Sequence, residues 1–125
     1  MWPGANCLMH GMPATMTVFQ TPMEIIVLPE TTYIVTSDTH DSVRRIFTDG
    51  RNWPGEIEPA LLGYSIGQWI DEDGDGRYDV LEIETRGFKG PRAFDHSGIP
   101  LHADNQTIIK ECLLRMLLST RFSVR

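Results

Sequence analysis

The 125-residue sequence predicts a mainly β protein, an antiparallel sheet curled into a small barrel or sandwich and at most lipocalin-like in extent. Three observations predict this class. Short runs rich in β-branched and aromatic residues recur along the chain, glycine and proline separate them, and helical periodicity is almost absent before the C-terminus. The length suits a single domain spanning residues 1–125.

Residues 1–22, beginning "MWPGANCLMHGMP", read as an irregular N-terminal arm because Pro3, Gly4, Gly11 and Pro13 punctuate the stretch. "EIIVL" (Glu24–Leu28) is a short apolar strand closed by Pro29, and "TTYIVTS" (Thr31–Ser37) is the β-branched strand that follows. After the polar turn "DTHD", "VRRIFT" (Val43–Thr48) alternates apolar and polar, and "DGRNWPGEIEP" is a long loop. "YSIGQWI" and "DVLEIET" form two further strands around an acidic loop. "GFKGPRAFDHSGIPLHADN" is a second long loop leading into "QTIIKE". Two readings stay open for "ECLLRMLLSTRF": Leu113, Leu114, Leu117 and Leu118 suit a helix, and a closing strand is the alternative.

Composition narrows the partners. The formal net charge is −6, and seven of the 17 acids fall between Asp71 and Glu84. That balance favours a cation and argues against nucleic acid, which needs a basic face. Arg44, Arg45 and Arg51 read as a solvated strand face. No run approaches the ~18 apolar residues of a transmembrane helix, and the N-terminus lacks the charged and apolar regions of an export signal. Cys7 and Cys112 lie near opposite ends; pairing or two reduced thiols are both open. Neither has the spacing of a zinc site.

The most informative stretch is "DEDGDGRYDVLE". Calcium takes six to eight oxygen ligands, and alternate residues of a tight loop aim carboxylates at one centre. Asp71, Asp73 and Asp75 have that spacing, Gly76 permits the turn, and the Arg77 carbonyl and Asp79 carboxylate follow as ligands. The segment matches an EF-hand to its twelfth place, Glu82, but its flanks have the period of strands. At about 3.3 Å per residue, Glu82 lies roughly 10 Å beyond Asp79 and on the opposite face. The expected ligands are therefore Asp71, Asp73, Asp75, Arg77 and Asp79, with Glu82 facing solvent.

The strings "GMP", "RRIFTDGRNWP", "GYSIGQW", "DVLEIETRGFKGPR" and "PLHADNQTIIKE" resemble an uncharacterised family of small bacterial proteins over about four-fifths of the chain. The resemblance implies an all-β fold and a bacterial, often periplasmic or secreted, setting, and no activity. Relatives continue after Glu111 as further strands, whereas residues 112–125 here form a divergent tail. A sheet without its closing strands leaves an edge for the tail or a second copy to cover, so a homodimer is expected.

Three functions fit these features. The first is a calcium-braced β-barrel that binds a small amphipathic molecule, with Trp53, Tyr64, Trp69 and Phe88 as candidate cavity residues. The second is a calcium-dependent hydrolase of a small ester or lactone, the ion polarising the carbonyl and a histidine acting as base. His102, paired with Asp104, is the first candidate base and His96 the second. Ser65, in "GYSIG", sits in a strand rather than a nucleophile elbow. The third is an interaction module whose calcium loop is purely structural.

Overall fold

A computed structural model describes residues 11–17, 22–37, 42–89, 106–115 and 122–124. They form a seven-stranded mixed sheet curled into a half-barrel, with strands in sequence order. The strands are β1 (Met23–Val27), β2 (Thr31–Thr36), β3 (Ser42–Phe47), β4 (Tyr64–Ile70), β5 (Val80–Arg86), β6 (Ile109–Arg115) and β7 (Phe122–Val124). The helix α1, Ala14–Thr17, is a single turn.

Neighbouring strands pair antiparallel except β3 and β4, which run parallel through Ile46↔Ser65 and Phe47↔Ile66. The sheet is therefore mixed where the sequence predicts it wholly antiparallel. The physical reason is the connection: a tight turn reverses the chain, whereas parallel neighbours need a crossover of a dozen or more residues. The Thr48–Gly63 segment supplies that length, held to the sheet by Ala60 N donating to Gly87 O and Lys89 N donating to Ala60 O. At the opposite extreme, Pro29 and Glu30 make a two-residue reversal between β1 and β2, closed by Leu28 N donating to Thr31 O at 2.9 Å.

The "CLLR" part of the C-terminal stretch is strand, since β6 runs to Arg115 and pairs with β5 along its length. Its far edge is taken by β7. Within the arm, Met12, Ala14 and Thr15 are buried. Met12 N donates to Leu61 O at 3.0 Å, which ties this segment to the crossover.

One sheet face carries the core. Ile34, Ile46, Leu81, Ile83 and Leu113 cluster there, with Met16, Ile25 and Trp69 packed against them. Period-two alternation puts Thr32, Thr36, Ser42, Arg44, Ser65, Thr85 and Glu111 on the same face, all buried. Gly67 lets the face close: a Cβ there would lie 2.7 Å from Ile46 Cγ2 and 3.0 Å from the Glu82 carbonyl oxygen.

Arg44 overturns its assignment to a solvated face. It is 2% exposed, whereas its neighbour Val43 is 58% exposed. The guanidinium donates through Nη1 to Glu111 Oε1 at 2.9 Å and through Nη2 to Glu111 Oε2 and to Thr85 Oγ1. Ser65 Oγ accepts from Nε at 3.3 Å and lies 2.8 Å from Thr85 Oγ1. A buried charge is tolerated only when paired and hydrogen-bonded. Glu111, three strands away, meets that condition, so the ion pair decides which face of β3 turns inward.

Candidate metal centre and cleft

The acidic loop joins β4 to β5, and Asp79 N donates to Ile70 O at 3.1 Å across its base. Gly74 and Gly76 take φ of 74° and 84°, values that side-chain-bearing residues rarely adopt. These two left-handed residues fold the loop back on itself, so its amides face inward. Asp71 Oδ1 accepts from Gly74 N at 2.8 Å and Asp75 N at 3.2 Å, while Oδ2 accepts from Gly76 N at 2.8 Å. Asp73 Oδ1 accepts from Asp75 N at 3.1 Å, and Asp75 Oδ1 from Arg77 N at 2.8 Å. Asp79 Oδ1 accepts from Glu72 N at 3.2 Å.

The result is a convergence of oxygens. Asp71, Asp73 and Asp75 each bring a carboxylate oxygen within 4.8 Å of the other two, a group that can hold a metal ion. The two halves of the cluster differ electrostatically. The amide donors, Gly76 N foremost, hold the Asp71 carboxyl below the usual carboxylate range. For Asp73 the Asp75 amide pulls the same way but is outweighed: desolvation and the charges of Asp75 and Asp79 push its pKa above the ordinary value. An all-oxygen donor set with accumulated negative charge fits a hard divalent cation.

Glu82 is exposed and belongs to the face opposite Leu81 and Ile83, as its place in the strand predicts. Asp79 stands beside the loop through Glu72, and Arg77 enters it through its amide. His96, His102 and Asp104 lie outside the described residues.

The second feature is a cleft of about 1030 Å³ on the sheet face away from the core. Thr48, Asp49, Gly50, Arg51 and Trp53 of the crossover form one wall. Outward residues of three strands form the floor: Ile66 and Gln68 of β4, Glu82 and Glu84 of β5, Lys110 and Cys112 of β6. Asp49 is bound by Arg51 through Nε at 2.9 Å and Nη2 at 2.6 Å, which holds the carboxyl below its usual range and raises the guanidinium above its own. Arg51 also lies 3.7 Å from the centre of the Phe47 ring, and Arg86 lies 4.3 Å from that of Trp53. Glu84 accepts from Arg86 Nε at 2.6 Å, and its other oxygen is 3.8 Å from Lys110 Nζ. Cys112 is a free thiol.

Of the aromatic residues expected at a cavity, Trp53 lines the cleft and Tyr64 packs beside it, ring centres 6.0 Å apart. Phe88 is wholly buried, and Trp69 packs on the core while its Nε1 donates to Thr32 Oγ1 at 3.1 Å. Sequence reasoning missed Lys110 and Cys112, which alternate with the buried Glu111 on β6, and Glu84, which alternates with the buried Ile83 and Thr85 on β5. No family model, curated protein or solved structure matches the chain, so no residue role is carried to it from a relative.

Proposed function

We propose that this chain is a calcium-binding β protein in which the ion braces the β4–β5 hairpin and the outer cleft receives a small amphipathic molecule. The convergence of Asp71, Asp73 and Asp75 carries the first half of the reading. The Arg77 carbonyl and the Asp79 carboxylate complete the coordination. Such a loop, exposed and built on a hairpin, suits the weak affinities of extracellular calcium modules, with Kd on the order of 10⁻⁴–10⁻³ M. That matches an exported setting, where calcium is plentiful.

The cleft supports the second half. Trp53 and Ile66 offer apolar surface, while Glu82, Lys110 and the Asp49–Arg51 pair offer polar contacts at its margin. None of the loop residues from Asp71 to Asp79 lines the cleft. The ion therefore acts on the fold, and the structural role is favoured over polarisation of a bound ester.

Thermal unfolding of chelator-stripped protein across a calcium titration tests the brace. Ligand binding to the native state stabilises by RT ln(1 + [L]/Kd), about 1.4 kcal/mol at tenfold saturation. For a domain of this size, that corresponds to a rise of roughly 5 °C in Tm. Asp73→Asn, which keeps an oxygen to accept from Asp75 N, is expected to abolish the shift with little effect on the metal-free Tm. A wild-type Tm indifferent to calcium would refute the brace. The cleft is tested separately by following an amphipathic naphthalene sulfonate through its fluorescence, with Trp53→Ala expected to remove binding.

A further inference from the structure

We infer that β1 is a self-association edge, pairing antiparallel with β1 of a second copy in a register centred on Ile25. Among the described residues the strand is a sheet edge, bonded to β2 alone. Leu28 N donates to Thr31 O at one end of the β1–β2 ladder and Ser37 N to Pro22 O at the other. Antiparallel pairs alternate between bonded and non-bonded, so with Leu28 and Pro22 bonded, Ile26 and Glu24 are bonded too. Met23, Ile25 and Val27 then turn their N–H and C=O groups outward, away from β2.

Several of the usual protections of an edge strand are absent from β1 itself. β1 holds no lysine, no internal proline and no bulge, and each residue from Met23 to Val27 has its own partner on β2. Its side chains are apolar on both faces: Met23 is 38% exposed, Ile26 43%, Val27 56% and the following Leu28 49%. Pro22 and Pro29 bound the segment, so pairing cannot extend far beyond it.

A second copy is the occupant because the strand complements itself. With Ile25 opposite Ile25, Met23 faces Val27, and every outward backbone group from Met23 to Val27 finds a partner. The only charge in the strand, Glu24, falls opposite Ile26 of the second copy. Two other registers also align outward groups. Met23 opposite Ile25 sets Glu24 against Glu24 and loses the pairing of Val27. Ile25 opposite Val27 sets Met23 against Pro29, which has no N–H to donate. Like charges directly opposite destabilise a strand pair and a proline cannot donate to a ladder, so charge and backbone pairing together select the Ile25-centred register. Five paired residues bury less than the roughly 1,200–2,000 Å² of a standard interface, so the dimer is weak and concentration-dependent.

Sedimentation equilibrium from about 10 µM to 1 mM reads the association, in about 0.5 M salt where a Debye length of roughly 4 Å screens the net charges of the two chains. The mass is expected to rise from 14.2 kDa towards twice that value. Ile26→Glu sets a carboxylate against Glu24 of the second copy and is expected to weaken the dimer about tenfold or more. Ile26→Lys sets an ammonium there and is expected to keep association within about threefold of wild type. Loss of association in both variants alike would overturn the Ile25 register, and a wild type monomeric throughout would overturn the edge itself. On the unsubstituted chain, the Ile25 and Val27 amides should exchange more slowly as concentration rises, and the Ile26 and Leu28 amides should not change. Equal exchange of all four at every concentration would equally overturn it.

Discussion

Arg44 is the residue on which the sheet's facing turns. The run "VRRIFT" offers two adjacent arginines, and nothing local says which one points inward. Glu111 lies 67 residues away, and the ion pair forms only once β3, β4, β5 and β6 stand side by side. Removing one partner leaves the other buried and unpaired, so Glu111→Leu should destabilise by about 3–5 kcal/mol in urea unfolding. Replacing both, as in Arg44→Met with Glu111→Leu, should recover most of that loss. A double variant as unstable as the single one would show that packing, not the stranded charge, sets the cost.

The two carboxylates of the loop predict opposite responses to pH. Asp71 titrates below its unfolded value, so its contribution to stability is present above the unfolded pKa and is lost as pH falls through the folded one. Asp73 titrates above, so in metal-free protein the folded state gains a proton first, and stability rises as pH falls through that pKa. Protons and metal compete for Asp73. Calcium affinity should therefore begin to fall at a pH above the ordinary aspartate range, which calorimetric titration across pH 4–7 can check; an affinity flat down to the ordinary aspartate pKa would contradict it.

At the scale of elements, the β4–β5 hairpin carries both the acidic cluster and part of the cleft. Its tip is the acidic loop and its outward side chains Ile66, Gln68, Glu82 and Glu84 form part of the cleft floor. The strand that allows this is β4, where the missing side chain of Gly67 leaves room for Ile46 and Leu81 of the core. Gly67→Ala inserts a methyl group against Ile46 Cγ2 and the Glu82 carbonyl, and should cost about 1–3 kcal/mol as the β3–β4–β5 contact opens. Hydrogen exchange of the β4 and β5 amides would localise that opening, and unchanged exchange would mean that Ile46 gives way without cost. The strands themselves were legible: alternation and turn residues mark β1 to β5 to within a residue or so. The parallel joint was not predicted, although the length of "DGRNWPGEIEP" was its signal.

Over the whole molecule, the acids are segregated rather than spread. Seven of 17 lie between Asp71 and Glu84, and the arginines Arg51 and Arg86 sit over rings on the crossover side of the sheet. The metal-free fold therefore carries a concentrated repulsion at one end. Raising salt from about 0.05 to 0.5 M should raise the metal-free Tm and shrink the calcium shift, because screening and calcium relieve the same repulsion. A calcium shift unaffected by salt would place the gain elsewhere in the fold.

The sequence by itself determined the class of fold, most strand positions and the acidic loop, because each rests on residues close in the chain: period two in the strands, left-handed glycines, aspartates at alternate places. Only the tertiary structure decided the burial of Arg44, the mixed pairing, the place of β1 at the end of the strand order and the cleft. Each of these depends on which strands become neighbours and in what register, and that is settled by contacts between residues far apart in sequence, where Arg44 meets Glu111 and Thr48–Trp53 folds over β4, β5 and β6.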